Sequence, residues 1–169
     1  MKKVLMVIAP ENFRDEEYEH PKEVLQSRGV TIVTASTLIG TCTGKLGARA
    51  EATVLVAEAD ALDYDAVVFV GGAGSRVYFD DPFAHGLARA AREENRILGA
   101  ICIAPSILAN AGLLKGWPST AFESERENLQ AHGAIWTGDP VTVEGHTITA
   151  NGPNAATAFG EAIAESLGI

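Results

Sequence analysis

Only two cysteines occur in the 169 residues, Cys42 and Cys102, too few for a disulfide scaffold, and no CxxC or clustered Cys/His spacing marks a structural zinc site. Long apolar runs are missing too, since no stretch approaches the roughly 18 residues needed to span a bilayer. The opening MKKVLMVIAPENF turns acidic after a short apolar run and shows no export-cleavage pattern, so the expectation is a soluble, cytoplasmic protein without membrane attachment. Basic residues are scarce: 13 Lys and Arg face 22 Asp and Glu, for a formal charge of -9. That balance disfavours a general nucleic-acid surface, which needs a basic patch. The phosphate-loop pattern GxxxxGK[ST] is absent, and TGKLG around Lys45 reads as an ordinary turn. No nucleotide, organic cofactor or metal is called for.

What is present fits one domain over residues 1–169, because 47% hydrophobic residues supply one substantial core but hardly two. Val4–Ile8 predicts a buried strand, followed by a loop over Pro10–Arg14 and a helix near Glu16–Arg28 that must accommodate Pro21. Further strands are expected at Val30–Val33, Thr53–Val56 at an edge, Ala66–Val70 in the centre, and Ile97–Ile103. The segment between Ser36 and Gly47 carries three glycines and is expected to be a connection with short extended pieces. Asp81-Pro82 begins a helix through the charged stretch ending near Arg96, and Pro105–Leu113 gives a short one closed at Gly112. Short strands at Ile135–Thr137, Val141–Val143 and Ile148–Ala150 precede a closing helix over Asn154–Leu167. This alternation predicts a mostly parallel sheet covered on both faces, with binding atoms near the carboxyl ends of the strands.

Two places carry candidate chemistry. In GAICIAPSILANAGLLKG, residues 99–116, a strand runs into a tight turn and helix, a layout that exposes the Cys102 sulfur and aims backbone N–H groups at it. The structural alternative is a small buried core cysteine between isoleucines. Glu17, after the first strand, sits in the acidic stretch ENFRDEEYEH; it is either one surface carboxylate among several or a proton-handling partner for the thiol.

Taken together, VLMVIAPENFRDEEYEHP, TGKLG, VFVGGAGS, AICIAPSILANAGLLKG and the region His146–Pro153 resemble the ThiJ/PfpI family of the class I glutamine-amidotransferase-like superfamily over almost the whole chain. The resemblance implies a flavodoxin-like three-layer α/β/α sandwich with a cysteine nucleophile elbow. It matches Cys102 to the reactive cysteine, Glu17 to the acid that hydrogen-bonds to it, Pro21 to a proline of the same helix, and Gly72 and the Ile103 N–H to the oxyanion region. Gly71 and Phe122 are candidate pocket residues. The resemblance implies a stress-related cysteine hydrolase-like protein acting on a reactive carbonyl, a glycated adduct or another small substrate. Its alternatives are a redox-responsive chaperone or sensor and a noncatalytic oligomeric interaction protein. It also implies a homodimer or dimer-based oligomer. One departure matters: protease-like relatives carry histidine after the elbow cysteine, whereas this chain has Ile103, and Phe122 stands where other relatives place a histidine. A Cys-His-Asp peptidase is therefore disfavoured. His20, His85, His132 and His146 read individually as surface or structural residues, Cys42 as noncatalytic, and Trp117 and Trp136 as core or contact residues.

Overall fold

A computed structural model describes residues 1–169. Twelve strands form in chain order: β1 (Lys3–Val7), β2 (Glu11–Phe13), β3 (Thr31–Ser36), β4 (Gly40–Gly44), β5 (Arg49–Ala52), β6 (Val54–Leu55), β7 (Ala66–Phe69), β8 (Ile97–Ile101), β9 (Pro118–Ser119), β10 (Ile135–Trp136), β11 (Val141–Glu144) and β12 (Thr147–Ala150). Five α-helices accompany them: α1 (Asp15–Ser27), α2 (Pro82–Glu93), α3 (Pro105–Asn110), α4 (Arg126–Ala131) and α5 (Ala156–Ser166).

The main sheet has the order β11-β12-β8-β7-β1-β3-β6, and every neighbouring pair is parallel except β11 with β12. Its five long parallel strands run β3-β1-β7-β8-β12, the flavodoxin-like 2-1-3-4-5 order. Alternation along each strand sends side chains to opposite faces. Val4, Met6, Val68 and Ile101 join Tyr18, Leu25, Phe159 and Ile163 of α1 and α5 in one core. Leu5, Val7, Val67, Phe69 and Leu98 join Leu87, Ala88, Ile107 and Leu108 of α2 and α3 in the other. Central strands buried on both faces explain their uninterrupted apolar sequence.

Helix starts follow local chemistry. Asp81 accepts a hydrogen bond from the Ala84 N–H at 3.1 Å, and Pro82 fills the first helical position, where its missing donor costs nothing. Pro21 lies inside α1 rather than at its start, leaving the Glu17 carbonyl without its donor four residues on. The proline is buried against α5: a Cβ added to Gly160 would sit 2.8 Å from Pro21 Cα, so the two helices touch at backbone distance.

Three elements differ from expectation. Pro10–Arg14 contains β2, which joins β4 and β5 in a separate three-stranded sheet. Asn12 has φ 59° and the register shifts there, so three residues around a kink leave no alternation to read. Gly40–Gly44 is one of the extended pieces expected between Ser36 and Gly47, and its antiparallel partner β5 was not anticipated. The six-residue α4 buries only Leu129, too little for a helical period. No helix is long and apolar enough to cross a membrane.

Candidate functional site

Three adjacent strands deliver the site from their carboxyl ends. β1 leads through β2 to α1 and Glu17, β7 ends at Gly71 and Gly72, and β8 ends one residue before Cys102. In an open parallel sheet this is where ligands bind, beside the point where the strand order reverses, here between β1 and β7.

Cys102 has φ +64°, a left-handed conformation that is strained for a residue with a side chain. Both of its peptide groups are held: its N–H donates to the Ala150 carbonyl at 2.9 Å, and its carbonyl accepts from the Phe122 N–H at 2.8 Å. The turn leads straight into α3, whose first residue is Pro105. Cys102 lines a cavity of about 450 Å³ together with Asn12, Arg14, Lys45, Gly72, Ile103 and Phe122. Most of the Cys102 side chain is covered, with 9% of the residue accessible.

Glu17 is fully buried beside it. Gly71 shows how tight the junction is. A Cβ there would overlap Glu17 Oε1 and lie 2.6 Å from the Ile101 carbonyl oxygen and 2.7 Å from Cys102 Cβ. Gly72 is constrained differently: φ is +97°, and a Cβ would meet the Asn12 carbonyl oxygen at 2.6 Å. Only glycine lets this loop run between the β2 segment and the cysteine turn.

Neither Glu17 carboxyl oxygen reaches a partner at full hydrogen-bond geometry. Burial therefore dominates and pushes the carboxyl up to about 8, while the Cys102 thiol, Arg14 and the Gly71 N–H offset part of that penalty. Burial also pushes the Cys102 thiol up to about 12, assisted by the charge of an ionised Glu17, whereas the N–H groups of Gly72 and Ile103 favour the thiolate. The two groups share protons as a pair. When Glu17 is neutral, its repulsion of the thiolate disappears and its carboxyl hydrogen becomes a donor.

The sequence-derived candidates Cys102, Glu17, Gly71, Gly72, Ile103 and Phe122 thus gather at one place. None of the four histidines lines the cavity. His85 Nε2 is bound to the Phe79 carbonyl oxygen at 2.7 Å, and His132 Nδ1 to that of Asn128 at 2.9 Å. Cys42 is fully buried in one of the two cores, away from the cavity lining. No cluster of three or more His, Cys, Asp or Glu side chains is arranged to hold a metal.

Sequence reasoning overlooked Asp15, Arg14, Lys45, Arg76 and Ser124. Asp15 is buried and accepts the Leu46 N–H at 2.9 Å and the Ala48 N–H at 2.8 Å, which ties the Lys45 turn to the start of α1. TGKLG was the available signal, read as an ordinary turn and as part of the family resemblance but not as a source of cavity-lining charge.

An α/β sheet of this order with a cysteine and a buried acid at adjoining strand ends defines a class of cysteine-centred flavodoxin-like proteins. The chain belongs to the DJ-1/PfpI family, whose model matches residues 2–166. It is similar to the crystal structure of a ThiJ/PfpI domain protein from Brachyspira murdochii, with a TM-score of 0.96 and 35% identity over 98% of this chain and 96% of that one. It is 29% identical to a Bacillus subtilis protein provisionally named a cysteine protease, over 94% of this chain and 95% of that one. It is 27% identical to a deglycase of Thermococcus kodakarensis, over 88% of this chain and 90% of that one.

Proposed function

We propose that the chain is a cysteine-centred enzyme of small reactive carbonyl compounds or glycated adducts, with the Cys102 turn as a nucleophile elbow and Glu17 as its proton partner. The observation that carries this reading is that a fully buried carboxyl group and a cysteine at a left-handed turn lining a cavity both close on Gly71, where a built Cβ would meet Glu17 Oε1 and Cys102 Cβ. The thiol proton passes to the ionised form of Glu17, a minor state at pH 7. Sulfur then bonds to the carbonyl carbon, the C=O π pair moves to oxygen, and the N–H groups of Gly72 and Ile103 stabilise that oxyanion. Glu17 returns the proton to oxygen, giving a neutral hemithioacetal with no oxidant or reductant consumed. Similarity to a deglycase supports carbonyl chemistry. The name of the Bacillus relative suggests proteolysis, but Ile103 follows the cysteine and no histidine lines the cavity, so the Cys-His pairing of a peptidase finds no support here.

The test is a panel of methylglyoxal, a glycated amino acid, an ester and a peptide, assayed with wild type, Cys102→Ala and Glu17→Gln. Wild type should turn over the carbonyl substrates and show a Cys102 adduct by intact mass; Cys102→Ala should show neither, and Glu17→Gln should lose about a hundredfold or more in turnover. Turnover that persists in Cys102→Ala overturns the proposal. The proposed assembly, resting on family resemblance, is a homodimer or dimer-based oligomer, which size-exclusion chromatography with light scattering reads directly.

A further inference from the structure

The Cys102 cavity concentrates positive charge in a chain that is otherwise acidic. Of its 11 lining residues, Arg14, Lys45 and Arg76 are cationic and none is Asp or Glu, although acidic residues outnumber basic ones 22 to 13 in the whole chain. The carboxyl group beneath it, Glu17, is the one that burial holds toward the neutral form.

The three cations are not equivalent. Arg14 already donates to both carboxylate oxygens of Glu16, at 3.0 and 2.9 Å. Lys45 and Arg76 have no ion-pair partner, so their charge is available to a ligand. Both stand on anchored backbone. The Lys45 N–H donates to the Phe13 carbonyl at 2.9 Å, and the rest of its turn hangs on Asp15. Arg76 belongs to the 3-10 turn Ala73–Tyr78, where the Ser75 N–H and hydroxyl both donate to the Gly72 carbonyl and the Tyr78 hydroxyl donates to that of Ile8. Ser124 also lines the cavity, and its hydroxyl hydrogen is committed to Glu125 Oε2 at 2.6 Å, which leaves lone pairs for a hydroxyl or amide hydrogen of a ligand. A volume of about 450 Å³ suits a metabolite-sized molecule.

We infer that this cavity selects small carbonyl compounds bearing a carboxylate or phosphate, with Lys45 and Arg76 receiving the anionic group while the carbonyl carbon meets Cys102. This rests on the carbonyl reading above and adds the substrate's charge. Lys45 and Arg76 are both exposed at the cavity's edge, and cations lining a partly enclosed cleft raise the local concentration of an anion, a larger effect than the same charges have on an open surface.

The test uses two alkylating probes that differ in charge, iodoacetate and iodoacetamide; each forms a thioether at Cys102 and releases iodide. The readout is the ratio of their rates, followed by peptide mass spectrometry so that Cys42 is scored separately. Relative to a free cysteine peptide, the iodoacetate/iodoacetamide ratio at Cys102 should be raised about tenfold. In a Lys45→Gln/Arg76→Gln double variant it should fall to the free-thiol value. Orthophosphate should slow iodoacetate with wild type and have little effect on the double variant. Glyoxylate and glycolaldehyde phosphate, compared with methylglyoxal as substrates, then distinguish carboxylate from phosphate preference. A free-thiol ratio in the wild type overturns the anion site while leaving a reactive Cys102 intact; failure of both probes to label Cys102 overturns the thiol chemistry on which the inference rests.

Discussion

Glu17→Gln separates a carboxyl group that is buried and protonated from one that is merely buried. Glutamine keeps the shape and removes the titration. Glu17 rises from the ordinary carboxyl value of 4.5 to about 8 in the folded chain, so between those values the folded state binds a proton that the unfolded state has released. Its contribution to stability is fully present below the unfolded value and is lost as pH rises through the folded one. With each pK unit equivalent to about 1.4 kcal/mol, the loss between pH 5 and pH 9 is on the order of 4 kcal/mol. Urea unfolding of wild type and Glu17→Gln across that range measures it as a difference, which cancels the titrations that the two proteins share. The curves should nearly meet at pH 5, diverge as pH rises, and leave the glutamine variant the more stable of the two at pH 9. A constant difference across the range would refute the reasoning, because it would mean that Glu17 has the same proton affinity folded and unfolded.

Two further substitutions probe the scaffold around the pair. Gly72→Ala places a Cβ at φ +97° against the backbone of Asn12–Arg14 and should cost more than about 2 kcal/mol in denaturant unfolding, with loss of Cys102 reactivity as the loop is displaced. Asp15→Ala leaves the N–H groups of Leu46 and Ala48 without their acceptor and should destabilise by about 2 kcal/mol, with faster proteolytic cleavage at the Lys45 turn than in the wild type.

The sheet was readable because its central strands are buried on both faces: AVVF and ILGAI have no solvent side, so their sequences are apolar without interruption. Asp81-Pro82 announced α2 for an equally local reason. Elements such as β2, β5, β9 and α4 escaped notice because each has too few residues to show a period. The same division runs through the site. Cys102 and Glu17 stood out from their sequence surroundings and gained their roles through the resemblance, which also supplied the role of Gly72. The cationic lining was not legible, since Arg14, Lys45 and Arg76 lie on three separate segments and come to one cavity only when β2 pairs with β4 and the Gly72 loop packs on β2. Judged over the whole chain, charge gave the opposite sign to the cavity's own.

The position of Glu17 on the pH scale decides whether one carboxyl group can serve both halves of the proposed addition. At the ordinary carboxyl value of 4.5, it would be ionised at pH 7, repelling a neighbouring thiolate and offering it no hydrogen. Pushed far above 10, it would hold its proton through any step that needs a base. At about 8, the neutral form prevails at pH 7, and ionisation costs on the order of 1.4 kcal/mol, a tenfold bias small beside a reaction barrier. Burial raises the carboxyl group, and the nearby thiol, Arg14 and the Gly71 N–H stop it from rising further. The glycine at position 71 is therefore part of the proton chemistry: a side chain there would drive Glu17 from Cys102 and remove the contact on which the compromise depends.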